Sequence, residues 1–149
     1  MWTRIIFVIA MMLAAQAEAP WLGAWKLNPA KSTTNSDRYK RVTLKIEPSE
    51  DGLRVAYDMV GTRGGVTHLE WTGKFDGRDY AVQGVDYVLT NAYSLVNDRS
   101  YQIVIKVDGA VAATAKVEIS PDGKTLTTLT TEKNAQGQTA NTTTVYDKQ

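Results

Sequence analysis

The architecture of this chain depends on the segment Trp21-Leu22-Gly23-Ala24-Trp25-Lys26-Leu27, in which two tryptophans flank a glycine. After it, short stretches of alternating apolar and polar residues, each ended by a turn signal, continue to the end of the sequence. A series of strands joined in this way leaves two unpaired edges unless its first and last members pair with each other. We therefore expect this segment to be the strand on which the sheet closes, with Trp25 filling one end.

The alternation has a period of two, as in Val42, Leu44 and Ile46, and it predicts half-buried strands. Turn signals, several of them Asp-Gly pairs, lie at residues 51, 64, 76, 97, 108, 122 and 136. This spacing favours an all-β chain, an antiparallel up-and-down meander of about ten strands closed into a barrel. A split sandwich of two sheets is the alternative. The alternation from Val85 to Val96 is interpreted as one strand that turns Tyr87 inward.

The segment between the first two predicted strands, Asn28 to Lys40, has no apolar periodicity and is rich in Ser, Thr and Asn. We therefore expect a loop at the mouth of the barrel, without a helical lid.

Composition restricts the classes of function. The 149 residues suit one domain, and a net charge of +1 gives no reason to expect a nucleic-acid partner. The sequence has no Cys and a single His, which excludes thiol chemistry, disulfides and thiolate metal sites. No motif predicts a metal site or a cofactor.

The first residues have the pattern of a secretory signal peptide. Arg4 precedes an apolar run from Ile5 to Ala15, and small residues recur at Ala15, Ala17 and Ala19. We expect a signal peptide over residues 1–19, cleaved between Ala17 and Ala19, and a single barrel domain over residues 20–149. The mature protein is then periplasmic or secreted.

The Gly23-Ala24-Trp25 stretch resembles the Gly-x-Trp motif of lipocalins, and Gly23–Leu27 and Val145–Lys148 are similar to the two ends of intracellular fatty-acid-binding proteins. The whole mature chain resembles a family of small bacterial exported, lipocalin-like proteins. The resemblance implies a calycin-type barrel in which Gly23 and Trp25 are structural. It also implies that the final strand turns Thr144 and Tyr146 inward, and it makes Lys148 the candidate for the basic residue that stacks on the motif Trp. Fatty-acid-binding proteins have an Arg at the position of Thr144, so capture of a carboxylate by this pair is not predicted.

The candidate ligand contacts are residues on the apolar phase of their strands together with two residues of the last strand. They are Tyr57, Trp71, Tyr87, Asn91, Tyr93, Tyr101, Thr144 and Tyr146. Apolar surfaces with a few placed polar groups are typical of small-molecule pockets, and a buried amide such as Asn91 needs a partner. Phe75 lies on the same phase as Trp71, and Thr142 adds a further hydroxyl. The threonines between Thr125 and Thr131 are interpreted as polar strand surface.

His68 lies opposite Leu69 and Trp71 in its strand and next to Glu70 on the same face. It is interpreted as a surface residue, because the apolar alternation turns the other face inward. Catalysis through His68 is the remote alternative, and we expect a protein that is not an enzyme.

The outer phases of the strands contain charged residues such as Lys45, Arg54, Glu70 and Lys116, which are incompatible with lipid contact. We therefore expect a barrel that does not span a membrane, is monomeric and binds a small apolar or amphipathic molecule in its interior. The alternative is a protein-binding envelope module or inhibitor whose barrel is filled by side chains.

Overall fold

The computed structural model describes residues 19–33 and 39–149, which form one closed antiparallel barrel. Its ten strands follow one another around the barrel in chain order. They are β1 (Gly23–Leu27), β2 (Tyr39–Ser49), β3 (Gly52–Gly61), β4 (Val66–Gly73), β5 (Tyr80–Gln83), β6 (Leu89–Asn97), β7 (Ser100–Val107), β8 (Ala110–Ile119), β9 (Thr125–Lys133) and β10 (Thr139–Lys148).

The barrel closes on β1, as expected from the Trp21–Leu27 segment. β1 pairs with β2 on one side, where Trp25 faces Leu44, and with β10 on the other, where Leu27 faces Tyr146. Because closure leaves no free sheet edge among these ten strands, the predicted all-β meander and barrel are confirmed, and the two-sheet sandwich is set aside.

Two strands differ from the pattern that the alternation predicted. β6 begins at Leu89 and not at Val85, so Tyr87 lies in the bend that precedes it. β5 has only four residues and contributes two paired positions to each neighbouring ladder. This side of the barrel is consequently held by far fewer backbone hydrogen bonds than the long β2–β3 ladder.

The described part of the segment from β1 to β2 contains a 3-10 turn, Pro29–Lys31, and the Asn28 side chain accepts a hydrogen bond from the Lys31 amide. Ser32 and Thr33 then fasten the chain to β10 through hydrogen bonds to Val145 and Thr143. The described part of this segment therefore contains no helical lid, while residues 34–38 lie outside the described residues.

The inward faces of the strands form one core that is continuous from β1 to β10. Its most completely buried large side chains are Trp25, Tyr93, Ile46, Leu126 and Val55. Trp21 precedes β1 in a turn, but its side chain is also buried and packs in this core.

The predicted signal peptide, residues 1–19, lies outside the described residues except for Ala19. Within residues 19–33 and 39–149, no helix has the length and apolarity needed to cross a membrane.

Candidate functional site

One end of the barrel is filled by a cluster of aromatic rings, which we call the aromatic floor: Trp21, Trp71, Phe75, Tyr93 and Tyr101. Trp71 stacks on Tyr93 with ring centroids 3.9 Å apart, and Tyr93 stacks on Tyr101 at 5.3 Å. Trp21 and Phe75 complete the cluster through tilted and edge-on contacts of 5.4 to 5.5 Å. The floor closes this end to solvent, because Trp21, Trp71, Tyr93 and Tyr101 are all buried.

Trp25 supports this closed end from β1 and is fully buried. Its indole Nε1 donates a hydrogen bond of 2.9 Å to the carbonyl of Trp21, which ties the turn before β1 to the strand. Trp25 therefore fills the barrel end as predicted, but it does so next to a larger aromatic cluster.

Between the floor and the opposite end, which we call the mouth, lies a cavity of about 600 Å³. The mouth is the end that contains the β3–β4, β7–β8 and β9–β10 turns. Tyr39 and Glu132, which line the cavity there, are exposed to solvent, whereas Trp71 at the other end is buried. A volume of this size accommodates a small organic molecule.

Most of the cavity wall is apolar and comes from strands on both sides of the barrel. This apolar wall comprises Leu27, Val42, Met59, Leu69, Val82, Leu89, Ile103, Ile105 and Ala115. The alternation of the strands explains the wall, because every second residue of a barrel strand points inward.

β9 and β10 contribute a polar surface to the cavity. We call it the threonine patch, and it consists of Thr128, Thr130, Thr142 and Thr144. In the β9–β10 ladder Thr128 faces Thr144, and Thr130 faces Thr142. Side chains that are directly opposite on one face of an antiparallel pair lie about 5 Å apart. The patch therefore presents four neighbouring hydroxyl groups to the cavity.

Two tyrosines, Tyr57 of β3 and Tyr146 of β10, add phenol groups to the lining. Burial raises the pKa of Tyr57 to about 12, and burial together with the neighbouring Tyr57 raises the pKa of Tyr146 further above its ordinary value. Both phenols are therefore neutral at physiological pH and can donate as well as accept hydrogen bonds.

Asn91 of β6 also lines the cavity, and its backbone carbonyl accepts a hydrogen bond of 3.0 Å from the indole Nε1 of Trp71. Its side-chain Oδ1 is buried and has no hydrogen-bond partner among the described residues. A buried amide oxygen without a partner is energetically costly, so a side chain of this kind is a natural contact for a bound molecule.

Two acidic residues, Glu70 and Glu132, belong to the cavity lining. The Glu70 carboxylate meets Arg54 and His68 on the outer face, so Glu132 is the acidic group that faces the cavity. Glu70 is half-buried and forms an ion pair with Arg54. No Lys, Arg or His belongs to the cavity lining within the part of the chain that the structure describes. The described lining of the cavity therefore offers hydroxyl groups and apolar surface, and it offers no cation to a ligand.

His68 lies on the outer face of the barrel, with about half of its side chain exposed. Its Nδ1 is 2.6 Å from Asp58 Oδ1, and its Nε2 is 3.9 Å from Glu70 Oε2. The predicted surface position is confirmed, and the histidine does not line the cavity. Within the described residues, no group of three or more His, Cys, Asp and Glu side chains is arranged to hold a metal ion.

The structure brings five of the eight candidate ligand contacts together in the cavity lining: Tyr57, Trp71, Asn91, Thr144 and Tyr146. Tyr93 and Tyr101 point inward as expected, but they are packed in the aromatic floor. The inward orientation predicted for Tyr87 is wrong, because its strand begins two residues later and leaves the side chain 49% exposed.

Thr128 and Thr130 are the cavity residues that the sequence interpretation placed on the surface. They follow Leu126 at a period of two, and Leu126 is fully buried. The period-two alternation of the strand thus placed both threonines on its inward face. They were interpreted as surface residues because they are polar.

A scan against models of known protein families found no match for this chain. A search of curated proteins found no significant relative either.

Proposed function

We propose that the chain is a lipocalin-like, calycin-type protein that binds a small apolar or amphipathic molecule inside its barrel. The observation that carries this proposal is the cavity of about 600 Å³, which has an apolar wall and a confined polar patch. Burial of an apolar ligand surface supplies affinity, at roughly 25 cal/mol per Å², and a few polar groups fix its orientation.

The resemblance to lipocalins is supported by the geometry at the closed end of the barrel. Gly23 and Trp25 stand at the start of β1, and the Nζ of Lys148 lies 5.2 Å from the centroid of the Trp25 ring. This is the basic residue that the resemblance selected for stacking on the motif tryptophan.

The rival hypothesis, a protein-binding module, goes together with a barrel filled by its own side chains. Here the aromatic floor fills only one end, and the space between floor and mouth favours the ligand hypothesis. Catalysis through His68 has no support from the cavity, since the histidine lies on the outer face.

We also propose that the protein is exported and works as a soluble barrel in the periplasm or outside the cell. The outer face of β2, β3 and β8 has ion pairs such as Lys45–Glu47 and Lys116–Glu118, which favour contact with water. Ala19 packs against the core and its carbonyl accepts from the Leu22 amide at 3.1 Å, so cleavage after Ala17 would preserve this contact.

Native mass spectrometry of protein purified from its own cell envelope tests both parts of the proposal. We expect a species heavier than the chain by the mass of one small molecule, which is released on denaturation. We also expect an N-terminus at residue 18 in the intact-mass measurement. A mature chain that contains no small molecule, and that fails to bind the neutral fluorophore N-phenyl-1-naphthylamine, would count against an internal ligand.

A further inference from the structure

The inference concerns the head group of the ligand and rests on the proposed function. The polar surface of the cavity is concentrated on two adjacent strands, where Thr128 faces Thr144 and Thr130 faces Thr142. All four side chains are partly buried and line the same cavity. A hydroxyl group both donates and accepts hydrogen bonds, so this patch suits a ligand that presents several oxygen atoms.

Across the barrel from the patch, β4 and β5 contribute the apolar side chains of Leu69 and Val82 to the cavity wall. An amphiphile that turns its polar end to the threonines can therefore cover this wall with its apolar part. Tyr57 and Tyr146 reinforce the polar side with neutral phenols.

The charge of the cavity lining determines which ligand head groups can bind. Glu132 faces the cavity, and within the described residues no basic side chain lines it. Glu70 is paired with Arg54, whereas no ion pair of Glu132 is found in the described part of the chain. An anionic head group would lose its hydration without gaining a counter-charge, and it would meet the carboxylate of Glu132.

We infer that the cavity selects amphiphiles with an uncharged head group rich in hydroxyl or carbonyl oxygens, seated on the threonine patch, and discriminates against the corresponding carboxylates. The nearest chemical examples are monoacylglycerols and long-chain alcohols, as opposed to fatty-acid anions. The Thr144 side chain is central to this selectivity, because it lines the cavity opposite Thr128 and a cation placed there would attract an anion.

A matched pair of ligands tests the inference on the mature protein. 1-Monolauroylglycerol and laurate have the same acyl chain, and laurate is ionised at about pH 8. Each is titrated below its micelle concentration against protein loaded with N-phenyl-1-naphthylamine, and the monolauroylglycerol titration is repeated by calorimetry. We expect monolauroylglycerol to bind at least about tenfold more tightly than laurate, which corresponds to about 1.4 kcal/mol.

Two variants connect this preference to the patch. Thr144→Arg supplies the missing cation, and we expect it to strengthen laurate binding about tenfold and to weaken the discrimination. Thr143→Arg is the matched control, because it makes the same change one residue away on the opposite face of β10, and it should leave both affinities unchanged. Should Thr144→Arg fail to fold, the double variant Thr128→Val and Thr144→Val removes two hydroxyls at nearly constant shape. This double variant should weaken monolauroylglycerol about tenfold and leave the apolar fluorophore bound as before.

The outcomes separate the two proposals. Equal affinity for both ligands, or tighter binding of laurate, overturns the selectivity and leaves an internal binding site in place. Strengthening of laurate binding by Thr143→Arg to the same degree as by Thr144→Arg also overturns it, because the effect would not come from the cavity. If neither ligand nor the fluorophore binds in either assay, the proposed function itself fails.

Discussion

Lys148 lies with its Nζ 5.2 Å from the centroid of the Trp25 ring, and the two residues are direct partners in the ladder between β10 and β1. The same ammonium group donates a hydrogen bond of 3.1 Å to the carbonyl of Leu22. One side chain from the last strand thus covers the buried tryptophan of the first strand and holds the turn that precedes it. The contact stabilises the seam at which the barrel closes.

Replacing Lys148 with Met should therefore destabilise the protein more than its surface position suggests. The variant keeps the aliphatic stem but loses the cation over the indole ring and the hydrogen bond to Leu22. We expect the free energy of unfolding, measured by urea titration, to fall by about 1 kcal/mol. Lys116→Met is the control, because Lys116 is exposed and forms an ion pair with the exposed Glu118, and it should change stability by less than about 0.5 kcal/mol. Equal effects of the two variants would contradict a special role of the seam.

Gly23, at the start of the same seam, should not tolerate a side chain. Its φ is 127°, a conformation that L residues rarely adopt, and an added Cβ would lie 3.2 Å from the Cε of Lys148. We expect Gly23→Ala to lower the free energy of unfolding by about 1–3 kcal/mol in urea titrations. Gly65→Ala is the matched change, since a Cβ there meets no atom within 4 Å, and it should be nearly neutral.

The buried phenols should make stability depend on alkaline pH. Burial raises the pKa of Tyr57 to about 12 and moves the pKa values of Tyr93, Tyr101 and Tyr146 further above the ordinary 10. Above pH 10 the unfolded chain loses phenol protons that the folded chain retains. The buried phenols therefore contribute fully to the free energy of unfolding below pH 10. This contribution is lost as the pH rises through the pKa values of the folded state, so stability should fall progressively from pH 10 upward.

The urea midpoint measured between pH 9 and pH 11.5 tests this expectation. Tyr57→Phe removes one buried phenol and should make the decline shallower, whereas Tyr87→Phe changes an exposed ring and should not affect it. A midpoint that stays constant through pH 11.5 in the unmodified protein would show that these phenols are not protected by burial.

The short strand β5 should be the part of the barrel that opens most readily. It shares two paired positions with β4 and two with β6, whereas β2 and β3 are paired along nearly their whole length. We expect the amides of Tyr80–Gln83 to exchange hydrogen at least about tenfold faster than those of Val42–Ile46 in native-state hydrogen exchange. Equal protection of both segments would indicate that the barrel opens only as a whole.

The sequence predicts the fold well because strand alternation and turn residues are local signals. Asp-Gly pairs and an apolar period of two located nearly every strand, and the unpaired edges of such a meander required the first strand to meet the last. The alternation failed at Tyr87, because the strand was predicted to begin at Val85, directly after Gly84, whereas it begins at Leu89. At Gly84 the chain has a φ of 110° and approaches the carbonyl of His68 so closely that a Cβ would lie 2.1 Å from it. A close approach of this kind depends on a distant strand, and no local pattern contains it.

The site was predicted less completely than the fold for a related reason. Alternation tells which side chains point inward, but it does not tell how far along the barrel axis each one lies. Tyr93 and Tyr101 share the inward phase with Trp71, yet they are packed in the floor, where the rings of Trp21 and Phe75 meet them. Thr128 and Thr130 point inward in spite of their polarity, because a barrel that retains a cavity has no need to fill every inward position with an apolar side chain.

The size of the cavity can be altered without touching its polar side. Ala115 of β8 lines the cavity and is 4% exposed, so a larger ring there has no room outside the barrel. We expect Ala115→Phe to occupy part of the 600 Å³ and to weaken binding of N-phenyl-1-naphthylamine at least about tenfold, measured by fluorescence titration. Ala112→Phe adds the same ring at an exposed position of the same strand and should bind the fluorophore normally. Circular dichroism must show that both variants retain the sheet. If Ala115→Phe is folded and binds as well as Ala112→Phe, the fluorophore occupies another surface, and the internal cavity is not the binding site.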